Sequence, residues 1–342
     1  RIGWSAARIG WLNGLLGVVI SCTAIGAEEP ATVEHVARGE RYAVEGRFDL
    51  ALGEYEKARA AGAGSAQFLN RLGEFYAQNE RLAEAVEVFH LSLQEKPGQL
   101  SVYGRLGEVF LAAGLLDSAI HYVSEASRLA PDQSTVRSSL GFLYLQSDEP
   151  ALARAQLDTA LTLDPANPEA HRYLGYYLTQ VDSIEAAIAE YRHLTKLVPD
   201  HFEAHNNLAF LLAQVGRYEE SLASYERAKA LAEEPQLVYA VTSRMEEVRA
   251  KAAGKMRARC ILVGSADEAE DLRQRVAKGE DFAELAHQFS LGSSAQEGGD
   301  VGYFGPGELL PAFEQAVADL SVGEVGPVVQ VPTGYMVIQR LE

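Results

Sequence analysis

The sequence predicts an α-helical solenoid of six helix-pair repeats followed by a small α+β domain, and three observations carry that prediction. Small residues recur at a fixed period from Gly39 to Ala209. The period stops after Gly254, where a β-branched run, "RARCILV" (257–263), begins. A stretch dense in glycine and aromatics, "EGGDVGYFGPGELLPAFE" (297–314), then separates two helix signals from two further apolar runs.

The repeats come first. Gly39, Gly73, Gly107, Gly141 and Gly175 fall at every thirty-fourth position, and Ala209 continues the column. Twelve positions after each stands another small residue: Ala51, Ala85, Ala119, Ala153, Ala187 and Ser221. Proline recurs at Pro97, Pro131, Pro165 and Pro199. Two antiparallel helices per unit explain the columns. Small side chains mark the close crossing, turns fall near Gly46, Gly114 and Gly216, and proline stops the second helix because it cannot continue one. One such hairpin cannot bury its apolar face alone, so hairpins stack. A last helical segment, "QLVYAVTSRMEEVRAKAAG" (236–254), reads as a cap and linker.

These columns resemble the tetratricopeptide repeat (TPR), six copies over 32–232, with cap and linker over 233–254. The resemblance implies a groove for polypeptide lined by the first helix of each unit. It places an aromatic row, Phe142, Tyr176 and Phe210, and an amide row, Gln146, Gln180 and Gln214, on that groove. Aromatic faces offer apolar contact, and amides pair with the backbone of an extended peptide. The alternative is that the rings are half-buried helix packing. No row of lysine and arginine accompanies them, which argues against a clamp for carboxylates or phosphates.

Composition excludes several classes. The 342 residues suffice for two domains, and a net charge of −18 argues against nucleic-acid binding. Two cysteines, Cys22 and Cys260, exclude a disulfide scaffold and a cysteine-rich zinc site. His201 and His205 have i,i+4 spacing but lack the H-E-x-x-H context. No metal or cofactor is expected.

Positions 1–27 have the layout of an export signal: Arg1 and Arg8, an apolar run, small residues, then acid. "VISC" (19–22) is similar to the bacterial lipobox, which would make Cys22 an acylated N-terminus. Cleavage near Ala24–Ala27 and retention as a membrane anchor stand as alternatives. Contact with membrane is expected only through this segment, and the protein is expected in the bacterial cell envelope.

After Gly254 the expectation is a strand at 257–263, a helix capped by Ser265 and Glu268, a second helix in "DFAELAHQFS", a helix over 310–320, and strands in "GPVVQV" and "GYMVIQRLE". The glycine-rich stretch is not a phosphate cradle. It lacks G-x-x-x-x-G-K-[ST], and no lysine or arginine lies between Lys278 and Arg340.

Order and spacing of "ILV" (261–263), "GEDFAELAHQFS" (279–290), "SSAQEGGDVGYFGPGELLPAFEQAV" (293–317) and "LSVGEVGPVVQVPTGYMVIQRLE" (320–342) resemble the parvulin-type, PpiC-like peptidyl-prolyl isomerases. The domain is expected over 255–342. The resemblance implies that the glycine-rich segment carries the chain across the active face. It also implies a pocket for a proline ring built from Val301, Phe304, Leu309 and Phe313, with Leu310 where the family often has glutamine. Behind the pocket it implies a polar network, and here this chain departs from the pattern. Cys260 and Met336 stand where the family has histidines, and Gly292 where it has aspartate or cysteine, while Thr333 keeps a hydroxyl. The reaction would be rotation about an X-Pro bond, which needs no cofactor. The implied partners are unfolded or proline-containing polypeptides and a protein in the repeat groove. The resemblance leaves two outcomes open, an isomerase retained on the pocket alone or a domain that only binds peptides.

Overall fold

The computed structural model describes residues 30–342. The export segment and Cys22 lie outside the described residues. By its packing the chain falls into two compact units divided between Val136 and Arg137.

The first unit holds α1 (Pro30–Val44), α2 (Phe48–Ala60), α3 (Ala66–Gln78), α4 (Leu82–Glu95), α5 (Leu100–Ala112) and α6 (Leu116–Leu129), which pack as three antiparallel hairpins. The second begins in α7 (Ser134–Gln146). It continues through α8 (Pro150–Leu163), α9 (Pro168–Gln180), α10 (Ile184–Leu197), α11 (Phe202–Gln214), α12 (Tyr218–Leu231) and α13 (Pro235–Ala252).

The glycine column has a steric cause. A methyl group added at Gly39, Gly73, Gly107 or Gly141 would fall 2.4 to 2.7 Å from Tyr55, Phe89, Val123 or Leu157, in each case the side chain sixteen positions on. In the sixth hairpin Ala209 stands against buried Tyr225. The second small column is fully buried, and Ser221 donates its hydroxyl to the Ala209 carbonyl at 2.7 Å. Close crossing and buried bulky groups therefore share one geometric origin, since a residue without a side chain admits a large one.

Three regularities escape a reading by glycine and proline alone. The turn column at Gly46, Gly114 and Gly216 is left-handed, but so are Glu80, Asp148 and Asp182 at the same repeat position, with φ of 56° to 60°. The N-cap column Ser65, Asn167 and His201 accepts hydrogen bonds from the backbone N–H three positions on. Within the hairpins, columns nineteen positions apart vary together. His35 meets Glu54 at 2.8 Å, Arg137 meets Gln156 at 3.1 Å and His171 meets Glu190 at 2.6 Å. Leu69 and Val88, both buried, fill the same columns in the second hairpin.

α13 lays Val241, Met245 and Val248 on Tyr225 and Ala228, closing the apolar end of the array. Beyond it β1 (Met256–Val263), β2 (Asp300–Phe304), β3 (Val329–Val331) and β4 (Gly334–Arg340) form an antiparallel sheet in the order β2-β1-β4-β3. α14 (Ala266–Ala277) and α15 (Phe282–Phe289) cover one face around Ile261, Val263, Leu272, Phe282 and Val337. α16 (Pro311–Ala318) covers the other. The Ser265 and Asp281 side chains cap α14 and α15 by accepting from the backbone N–H groups of Glu268 and Glu284.

One expectation is corrected. The glycine-rich stretch is not only a crossing connection, because its Asp300–Phe304 segment is the edge strand β2, with Arg257 opposite Tyr303 and Met256 opposite Phe304. Glycine density hid it, yet an edge strand needs only its hydrogen-bond ladder and one apolar side. Among the described residues no helix is long and apolar enough to cross a membrane.

Candidate functional site

Strand alternation sorts β1 onto two faces. Ala258 and Cys260 face α16, whereas Ile261 and Val263 face α14 and α15. On β4, Ile338 lies opposite Cys260 and Met336 opposite Leu262. Cys260 and Met336 are thus diagonal neighbours on the α16 face. The structure brings them into one apolar cluster with Val301 of β2, Phe304 and Phe313, backed by Val317, Leu320 and Ile338. The Phe304 and Phe313 rings sit 5.5 Å apart at 55°. Both are almost wholly buried, at 2 % and 3 %, so they form the floor of this face rather than an open wall.

Leu309 and Leu310 are not part of that cluster. They are exposed on the loop between β2 and α16, 37 % and 43 % accessible. Thr333 is exposed in the short turn that joins Val331 to Gly334. Gly292 precedes a short 3-10 turn, Ser293–Glu297, and contributes backbone alone. Its N–H and that of Leu262 both donate to the Ser290 hydroxyl, at 3.2 and 3.1 Å, which ties this corner to β1.

Burial pushes the Cys260 thiol above its ordinary value, and a hydrogen bond with Ser294 only partly opposes that. A buried, protonated thiol is a packing residue, not a nucleophile. Ser294 and Ile338 are the neighbours that the sequence reading missed. Ile338 is legible from period-two counting along β4, while Ser294 lies far along the chain from Cys260 with no local signal. Gly299 is the tightest position on the glycine-rich path. At Gly299, φ is +84° and a Cβ would lie 2.4 Å from the Cys260 carbonyl oxygen, beside the 2.8 Å bond from Cys260 N–H to the Gly299 carbonyl.

On the repeats, Gln146, Gln180 and Gln214 are exposed as the last residues of α7, α9 and α11. The aromatic row is graded. Phe142 is half-buried and stacks on Tyr173 at 4.7 Å, Tyr176 is half-buried, and Phe210 is 37 % exposed. His201 caps α11, and His205 Nε2 lies 3.0 Å from the Pro199 carbonyl oxygen, so both rings serve the backbone. Among the described residues no cluster of three or more His, Cys, Asp or Glu could hold a metal ion.

Helical hairpins followed by a four-stranded α+β domain with an apolar sheet face define a class, a helical-repeat protein bearing a small α+β module. Family models specify both parts. The PPIC-type PPIase (rotamase) domain matches residues 263–342, and tetratricopeptide repeats match 36–99 and 180–235, and again 76–141 and 110–175. The chain is a tetratricopeptide-repeat protein with a C-terminal PPIC-type rotamase domain.

Its C-terminal region is 45% identical over 86 residues to "Foldase protein PrsA" of Geobacillus sp. (strain WCH70), covering 25% of this chain and 31% of the relative. It is 47% identical over 73 residues to "Chaperone SurA" of Dechloromonas aromatica (strain RCB), covering 21% of this chain and 17% of the relative. The chain thus spans a third or less of the length of these curated relatives. The structure reported as "Functional Characterization of Pseudomonas Aeruginosa pilF" superposes with a TM-score of 0.51 at 18% identity, covering 66% of this chain and 99% of that one, which shows the helical-repeat fold.

Proposed function

We propose that this protein is an exported folding factor in which the solenoid holds a client or assembly partner and the rotamase domain engages its prolines. The observation that supports it best is the gathering of Val301, Phe304, Phe313, Cys260 and Met336 on one sheet face. The names of the C-terminal relatives, a foldase and a chaperone, agree with it. Export rests on the pattern of positions 1–27, and the working division is repeats over 32–232, cap and linker over 233–254 and rotamase over 255–342.

The chemistry asks little of side-chain acids. The barrier to rotation is about 18–20 kcal/mol, and the uncatalysed step takes on the order of 10–100 s. The planar amide is more charge-separated than the twisted one, so an apolar surface favours the twisted state, and gripping the ring selects the rotating geometry. Leu309 and Leu310 supply the exposed apolar edge, and the buried rings set its floor. Two linked weak sites, one on each module, raise the effective concentration of a client for the other.

A second reading has its own support. Cys260, Met336 and Gly292 leave neither imidazole nor carboxylate where the family has its polar network, and burial keeps the Cys260 thiol protonated, so the domain binds prolines without turning them over, and the protein is an adaptor. A proline-peptide isomerisation assay on the full chain separates the two. Measurable rate in the parent, raised further by Cys260→His with Met336→His, supports the isomerase. No rate in the parent and a clear gain in the double variant supports the adaptor. Cell fractionation with Cys22→Ser tests the anchor, since unchanged membrane association removes lipidation.

A further inference from the structure

The loop that presents Leu309 and Leu310 is held from behind by two carboxylates. Glu314, in the first turn of α16, reaches back past the helix start. Its Oε1 accepts the Leu309 N–H at 2.7 Å and its Oε2 accepts the Gly307 N–H at 2.9 Å. Glu308 accepts the Gly305 N–H at 3.0 Å, and Lys255 Nζ donates to both its oxygens at 2.8 and 3.0 Å. Lys255 directly follows Gly254, the left-handed residue just past the end of α13. Four positions earlier, Lys251 of α13 meets Glu342 at 3.0 Å, and Glu342 also takes the Tyr303 hydroxyl of β2. Lys255, in the short link between α13 and β1, therefore ties the loop, while α13 itself reaches β2 only through Glu342.

We propose that Glu314 and the Glu308–Lys255 pair are positioning residues for proline binding. They fix the backbone of residues 305–310 so that Leu309 and Leu310 form a standing apolar edge, and Lys255 ties that setting to the link between α13 and β1. A Gly-Pro-Gly run has backbone freedom that must be lost on binding, and a loop set in advance has already lost it. The consequence for proline rests on the function proposed above, whereas the brace itself does not. The carboxylates are exposed enough to contribute little to global stability, so the variants fold and the effect is confined to the loop.

Two readouts on the full chain test it, amide hydrogen exchange and the binding and turnover of a proline-containing tetrapeptide. Glu314→Gln keeps the size but sets an amide N–H₂ against a backbone donor. It speeds exchange at Gly307 and Leu309 by about tenfold or more, and Lys255→Met does so at Gly305, with β1 amides unchanged. Both raise KM or the dissociation constant by about fivefold while kcat holds. Unchanged exchange in both variants overturns the brace. Faster exchange with unchanged peptide affinity overturns the positioning role. If the parent neither binds nor turns over the peptide, the functional reading falls, and the positioning role falls with it, whatever the exchange rates show.

Discussion

The repeats and the sheet domain both depend on residues without side chains, and they do so for opposite reasons. In the repeats, the space where a Cβ would sit is filled by a side chain from the second helix of the same hairpin, such as Phe89 against Gly73. In the sheet domain it is filled by backbone, the Cys260 carbonyl oxygen against Gly299. A side chain can shift and a ladder carbonyl cannot. The repeats themselves demonstrate the slack, because the sixth hairpin carries Ala209 in the same column beside buried Tyr225. Helical hairpins tolerate drift in their columns, and the strand crossing does not.

That contrast breaks or holds on measurement. The largest effect is expected from Gly299→Ala, which combines a left-handed φ with the carbonyl collision and costs about 3 kcal/mol or more. Thermal melting followed at sheet-domain NMR signals reads it. A cost below that of the repeat substitution would erase the distinction between backbone and side-chain crowding. Gly73→Ala comes next, at about 1–3 kcal/mol of overpacking against Phe89. The double variant with Phe89→Leu should recover part of the loss, which locates the cost in the ring.

Smaller still is Glu80→Gly. The left-handed Glu80, φ 60°, costs about 1–2 kcal/mol, and glycine's extra freedom in the unfolded chain offsets about half of that. A net gain of up to about 1 kcal/mol in chemical denaturation is expected, and a net loss would show that the acid has a role at the turn.

The smallest effect is a pH dependence in the repeats. His171 is buried, with Nδ1 2.6 Å from the Glu190 carboxylate and Nε2 3.0 Å from the Pro165 carbonyl oxygen. Both partners accept only, so the ring donates to both at once only when it carries two protons. The Glu190 hydrogen bond raises its pKa above 6.5, against the opposing effect of burial. A raised value in the folded state means the contribution is complete below about pH 6.5 and fades as pH climbs through the folded pKa. NMR titration of His171 should give a midpoint above 6.5 that falls in Glu190→Gln. A midpoint at or below 6.5 in the parent refutes the doubly bonded ring.

Legibility followed the same divide. The hairpins were readable because columns at a fixed period repeat one steric requirement six times, so Gly39 through Ala209 announce it without any long-range information. The acidic turn residues were not, since Glu80, Asp148 and Asp182 look like ordinary surface positions until their φ is known. In the sheet domain the strand pair and helices could be placed by alternation and caps. β2 could not, because Gly302 and the flanking glycines mimic a loop while the pairing to β1 joins stretches far apart in the chain. For the candidate site, the family resemblance singled out Cys260 and Met336, and the structure groups Val301, Phe304 and Phe313 with them. The brace from Glu314, Glu308 and Lys255 was invisible, since Lys255 and Glu308 meet across two intervening α-helices and two strands.

Every contact between a bare position and the bulky group sixteen positions downstream is made inside one hairpin. Duplicating or excising a whole module therefore leaves every remaining pair of this kind matched, so the length of the array can change by gene rearrangement without redesigning the crossing inside any hairpin.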